Sequence, residues 1–128
     1  ENTLKVAEFL SRHPKVAWVN YAGLPDHRDH ALVQKYMGGR ASGILSFGVA
    51  GGFEGGGRFQ DALKLVTRLV NIGDAKSLAC HPASTTHRQL SPEELARAGV
   101  SPDMVRLSIG IEHIDDIIAD LEQALDAA

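Results

Sequence analysis

The sequence predicts an α+β two-layer domain, a small sheet with helices on one face, with parallel βαβ units as the alternative and strand order left open by the residues alone. Three observations point there. The chain has 128 residues, enough for one hydrophobic core. Segments of period 3.6 alternate with short runs of strand formers. The apolar positions of those runs are one-sided, as in a sheet covered on a single face. No repeat, low-complexity tract or linker divides the chain, so residues 1–128 read as a single domain.

The elements follow in order. In "ENTLKVAEFLSRHP", Leu4, Ala7 and Leu10 recur on one helical face, with Val6 and Phe9 beside them. Pro14 disfavours helix at the residue before it and stops this segment near Arg12. A start inside a helical pattern without an initiating Met suggests a piece of a longer protein. "KVAWVNYAG" (15–23) reads as a strand. "DHRDHALVQKYMGG" reads as a short helix capped by Asp26 and closed by Gly38. Ile44 to Val49 is a second strand. Phe59, Leu63, Val66 and Val70, flanked by Ala62 and Leu69, predict an amphipathic helix after a flexible glycine turn. Ser77 to Cys80 is a short apolar strand. Ser91 with Glu94 three residues on forms a capping box, with Pro92 in the first turn and Gly99 at the exit. "MVRLSIGIE" alternates Val105, Leu107, Ile109 and Ile111 against Arg106, Ser108 and Gly110. Ile114, Ile117, Ile118, Leu121 and Leu125 mark the last helix.

Composition narrows the function classes. A net charge of -3 leaves no electrostatic footprint for nucleic acid or an anionic membrane, and apolar runs break well short of a bilayer span. One cysteine cannot form an internal disulfide, so a cytoplasmic setting is expected. Gly52 and Gly57 have the spacing of a phosphate loop, but Arg58 and Phe59 stand where its Lys and Ser/Thr belong, so a nucleotide site is not expected. His27 and His30 lack further metal ligands and read as surface residues; no metal is expected. "SLACHPASTTHRQL" is rich in reactive side chains, yet Cys80 and His81, being adjacent on an extended segment, point to opposite faces. Arg106 sits mid-strand beside the small Ser108 and Gly110. It either presents a guanidinium fork to a carboxylate or belongs to an exposed face or an internal ion pair; the residues alone leave both open.

"NIGDAKSLACHPASTTHRQL", followed at this separation by "VRLSIGIE", closely resembles the C-terminal domain of the Cys/Met-metabolism pyridoxal-phosphate enzymes. The likeness runs from "ENTLKVAEFLSRHPKVAWVNYAGL" through the whole chain, and "GDAKSL" with "STTH" is most similar to the O-acetylhomoserine sulfhydrylase branch. Ala22 departs from the proline usual in "NYPGL", and "FEGGGRF" is richer in glycine than usual. The resemblance implies an antiparallel sheet with outer helices, following a large cofactor-binding domain of a parent that is typically a homotetramer. It also implies γ-replacement of O-acetyl-L-homoserine by sulfide to give homocysteine, with pyridoxal 5'-phosphate as electron sink. Arg106 would clamp the substrate α-carboxylate, Ser77 and Leu78 would line the same pocket, and Thr86 would form part of its wall. No catalytic, cofactor-binding or metal-binding residue is expected in this chain. The family's lysine motif for the cofactor does not occur here, so these residues alone are expected to bind no cofactor and to show no turnover. Rival readings are the corresponding domain of cystathionine γ-synthase, cystathionine γ-lyase or methionine γ-lyase, and a non-catalytic α+β binding or assembly module.

Overall fold

The computed structural model describes all of residues 1–128. Helix α1 (Asn2–Arg12) leads into strand β1 (Val16–Asn20), followed by helix α2 (His30–Met37) and strand β2 (Ile44–Val49). Helix α3 (Gly52–Ala62), two short strands β3 (Thr67–Arg68) and β4 (Leu78–Cys80), and a 3-10 turn over Pro82–Ser84 come next. Helix α4 (Pro92–Arg97), strand β5 (Met104–Ser108) and helix α5 (Ile114–Asp126) complete the chain. The five strands form one sheet in the order β1-β2-β5-β4-β3. The β1–β2, β2–β5 and β4–β5 pairs are antiparallel, while β3 and β4 run parallel, so the sheet is mixed.

Alternation sorts each strand onto two faces. Leu45, Phe47 and Val49 of β2, Val105 and Leu107 of β5 and Ala79 of β4 enter the core. They meet Val6, Ala7 and Leu10 of α1, Phe59 of α3, and Ile117, Leu121, Ala124 and Leu125 of α5. The Phe47 and Phe59 rings meet edge to face with centroids 5.4 Å apart. Helices α1, α3 and α5 thus cover one face, as the one-sided patterning predicts. The two-layer expectation holds.

Three local readings change. Helix α2 starts after Asp29, not Asp26, because backbone N–H groups of His27 and His30 close earlier turns onto Leu24 and His27. Strand β5 ends at Ser108, and Ile111, expected on the buried face, is 84% exposed in the turn before α5. The third change is larger. The predicted helix over Phe59 to Val70 begins instead in the glycine run, at Gly52, and stops at Ala62. Glycine lets α3 lie close to its neighbours: a Cβ on Gly56 would stand 2.7 Å from His81 Nε2. The stop comes from α5. Asp120, only 5% exposed, accepts backbone N–H groups from Lys64 (2.9 Å), Leu65 (2.9 Å) and Val66 (2.8 Å). Gln123 Nε2 donates to the Ala62 carbonyl at 2.7 Å, satisfying an orphan acceptor of the last turn. N–H groups committed to a carboxylate cannot continue a helical ladder, so the chain leaves α3 extended and enters β3.

The capping box of α4 is present in both directions, Ser91 N–H to Glu94 Oε2 at 2.8 Å and Glu94 N–H to Ser91 Oγ at 3.3 Å. Leu95 packs with Ala83 and Val100 in a small separate cluster against Met104.

Replacing Asp120 by Ala strands several buried donors and should destabilise the domain by about 3 kcal/mol in urea unfolding. Asp120→Asn should fail to restore this loss, because its amide offers one acceptor oxygen in place of two.

Candidate functional site

The uncovered face of the sheet carries the polar residues. Strand register places Asn20 opposite Ser46, Ser46 opposite Arg106, and Arg106 opposite Cys80. These four form one transverse row across β1, β2, β5 and β4. The row floors a cavity of about 440 Å³. Its apolar side is built from Ile44, Val70, Pro82, Ala98, Val100 and Met104, and Thr86 and His87 close the wall. No Asp or Glu lines it.

Arg106 is half-buried and has no carboxylate within ion-pair distance. Its only hydrogen bond is a long one, Nη2 to the Asn71 carbonyl at 3.4 Å. The remaining guanidinium donors are free for an anionic ligand. Of the readings left open by the sequence, the internal ion pair is removed, while the free fork and the partly exposed face both remain. Thr86 lines the cavity, its Oγ1 2.8 Å from His87 Nδ1.

Ser77 and Leu78 are placed differently. Leu78 is buried on the same sheet face as Cys80, opposite Ser108, but does not line the cavity. Ser77 is fully buried. Its hydroxyl donates to Glu112 Oε2 at 2.8 Å and accepts the Gly110 N–H at 2.9 Å, while its backbone N–H donates to Glu112 Oε1 at 2.6 Å. The Ile111 N–H adds a bond to the Ala75 carbonyl at 3.0 Å. Ser77 therefore pins the β3–β4 loop, which carries Asn71, to the exit of β5.

Glu112 was not visible as a site residue in the sequence, nor were Asn20 and Ser46. Ser46 and Asn20 become visible only once register is known. Burial acts to raise the Glu112 pKa, and Asp74 adds to that. The backbone N–H groups of Ser77 and Glu112 and the Ser77 hydroxyl outweigh both, and the carboxyl is held below its ordinary value of 4.5.

Cys80 and His81 diverge as adjacent strand residues must. Cys80 lies in the cavity floor, 3.3 Å from Thr85 Oγ1. His81 turns inward, where Nε2 donates to the Pro102 carbonyl at 2.7 Å and Nδ1 lies 2.8 Å from Ser84 Oγ. They do not converge on a common point. The rings of His27 and His30 are held by local hydrogen bonds, to Asn20 and Asp29 and to Ala22 and Gln34 respectively. A larger depression of about 620 Å³ beside edge strand β1 mixes Asp26 with Arg28 and so has no charge of one sign to select a ligand.

A guanidinium without an acidic partner faces an acid-free cavity, and the chain that carries it matches a family model. The model, described as Cys/Met metabolism PLP-dependent enzyme, aligns with residues 1–126. The chain belongs to this family. It is 57% identical over 125 residues to O-acetyl-L-homoserine sulfhydrylase 1 of Thermus thermophilus, covering 98% of this chain and 30% of that protein. It is 49% identical over 128 residues to homocysteine synthase of Schizosaccharomyces pombe, covering 100% of this chain and again 30% of the relative. Among solved structures, a putative O-acetylhomoserine (thiol)-lyase from Campylobacter jejuni superposes with a TM-score of 0.89 at 48% identity. That alignment covers 98% of this chain and 30% of the other, which carries N'-pyridoxyl-lysine-5'-monophosphate at its position 205. The chain thus spans about a third of the length of these relatives.

The residues present do not form a covalent site for pyridoxal phosphate. Lys5 approaches Glu1, Lys15 donates to the Asp126 carbonyl, and Lys35 lies over the Tyr36 ring. Lys64 and Lys76 are exposed, and none of the five lysines lines the Arg106 cavity. No helix is long and apolar enough to cross a membrane.

Because Glu112 is held ionised below its unfolded value, the stability it contributes is complete above about pH 4.5 and is lost as pH falls through the lowered folded value. The stability difference between the wild type and Glu112→Gln should therefore shrink on acidification below about pH 4.5 in denaturant titrations.

Proposed function

We propose that this chain supplies the substrate-carboxylate wall of a pyridoxal-phosphate-dependent O-acetyl-L-homoserine sulfhydrylase. The overall reaction joins sulfide to O-acetyl-L-homoserine and releases acetate, giving homocysteine for methionine synthesis in the cytoplasm. The observation that carries this reading is Arg106, a guanidinium without an acidic partner on the floor of an acid-free cavity. The sulfhydrylase and homocysteine synthase names of relatives at 49 to 57% identity support the substrate.

Arg106 binds the α-carboxylate with two parallel N–H donors and fixes the direction of the amino acid's side chain. The rigid strand beneath it limits the rotamers the guanidinium must give up on binding. Ser77 serves the site through the loop it anchors, and Leu78 extends the sheet face next to Cys80. The Ser77–Glu112 bonds hold the loop whose Asn71 carbonyl orients Arg106. Thr86 bounds the cavity laterally. The cofactor chemistry is supplied by residues outside this set, since no lysine here reaches the cavity. We further read the domain as one part of a tetrameric parent. Exposed Leu69, Val70, Ile72 and Ile111 offer apolar area for such contacts.

In the full-length protein, Arg106→Ala should weaken O-acetyl-L-homoserine binding by about 3 kcal/mol. Arg106→Lys should recover part of that, because an ammonium retains charge without the planar fork. Unchanged substrate affinity in Arg106→Ala would retire the clamp. Residues 1–128 alone, incubated with pyridoxal phosphate, should develop no cofactor absorbance band and show no sulfhydrylase turnover.

A further inference from the structure

Two segments that line the Arg106 cavity are joined by a side chain that lies outside it. One segment contributes Pro82, Thr86 and His87 to the lining, and the chain before β5 contributes Val100 and Met104. His81 does not line this cavity; it is fully buried and turned away from Cys80, with its ring 5.3 Å from that of Phe53 in α3. Its Nε2 lies 2.7 Å from the Pro102 carbonyl, which can only accept, so the ring carries its proton there. In the neutral ring Nδ1 is then an acceptor. It takes the Ser84 hydroxyl at 2.8 Å, a shorter contact than the 3.3 Å from that hydroxyl to the His81 carbonyl. The Thr85 hydroxyl donates to the His81 carbonyl at 2.8 Å. With that proton committed, the 3.3 Å contact between Cys80 and Thr85 Oγ1 is donated by the thiol on the cavity floor. The backbone N–H groups of Thr85 and His87 close onto the Pro82 carbonyl at 3.2 and 2.9 Å, which ties the rest of the segment to the same turn.

From this network we infer that His81 is a positioning residue for the substrate, holding the Pro82–His87 wall at a fixed distance from the Val100–Met104 wall. The inference rests on the carboxylate clamp proposed above. The bond to the Pro102 carbonyl is the joint between the two segments, and the Ser84 hydroxyl fixes the tautomer and aim of the ring. Pro82, Val100 and Met104 are apolar, and dispersion contact with a ligand is lost steeply when a gap of even half an ångström or so opens. Loss of the joint therefore weakens contact with the ligand beyond its carboxylate. Arg106 is bonded to Asn71 and not to this network, so its grip on the carboxylate is retained.

The test uses the full-length protein and two unreactive acids, propanoate and heptanoate, the second with the chain length of the acylated amino acid. Dissociation constants from ligand-observed NMR titration should favour heptanoate about tenfold in the wild type, through burial of its extra methylene groups. In His81→Leu and His81→Asn, which cannot reach Pro102, the preference should fall to about threefold or less. Propanoate affinity should stay within about twofold of the wild type in both. His81→Gln, whose amide N–H reaches the Pro102 carbonyl, should keep the preference within about twofold of the wild type. Equal weakening of both acids in His81→Leu and His81→Asn, which a loss of overall structure produces, overturns the inference. So does an undiminished preference in His81→Asn, or a His81→Gln variant no better than His81→Asn; this last comparison decides the matter if His81→Leu does not fold. If Arg106→Ala weakens both acids while the His81 variants keep the wild-type preference, the clamp stands and only the role of His81 falls. If Arg106→Ala leaves both affinities unchanged, the clamp and the inference fall together.

Discussion

The geometry of the site depends on where helix α3 ends, and a single buried carboxylate decides that. The apolar pattern around Phe59, Leu63, Val66 and Val70 favours continuing the helix. Against it, Asp120 takes three consecutive backbone N–H groups, and Gln123 takes the Ala62 carbonyl. Each of those donors would otherwise need a partner in a helical turn, and a buried carboxylate without donors would be costly. Both requirements are met at once by the extended chain. β3 then pairs with β4, and the loop between them returns past Arg106 with the Asn71 carbonyl beside the guanidinium. A helix continued to Val70 would place no such loop there.

The two faces of the sheet divide the work of stability and binding. The covered face is aromatic and aliphatic, with fully buried Phe47, Val105 and Leu107, and burial of such side chains contributes on the order of 1.5–3 kcal/mol each. The uncovered face includes Asn20, Ser46, Arg106 and Cys80. Half-burial keeps the Arg106 head within reach of solvent, so the fold bears little of the penalty of an unpaired buried charge. On the proposed reading, a ligand carboxylate would meet a cation held on the central strand between its neighbours.

The Ser77–Glu112 arrangement links these two levels. Ser77 attracts notice as a polar residue at the start of a reactive-looking segment, and the family resemblance assigns it to the substrate pocket. Its hydroxyl and N–H are committed to Glu112 and Gly110. On the proposed reading, the serine would act on the pocket through the loop it anchors. Glu112 gives no local sequence signal for this, because its partner is distant along the chain and the pairing arises only when β4 lies beside β5.

Much of the architecture was legible in residue order. Periodicity placed α1, β2, α4 and α5 where they occur, because each owes its form to local capping and to a single buried face. The divergence of Cys80 and His81 followed from adjacency on a strand, and the place of Arg106 on the face opposite Val105 and Leu107 followed from alternation; that it has no acidic partner did not. The stop of α3, the inward commitment of Ser77 and the row Asn20–Ser46–Arg106–Cys80 were not legible. Each depends on contacts between segments far apart in sequence: α5 against the end of α3, β5 against β4, and the register of β1 on β2. Sequence by itself determined most of the residues that face the core and most of the polar ones left free. Only the tertiary structure decided which of the free ones share a cavity, because strand order and register bring distant side chains into one row.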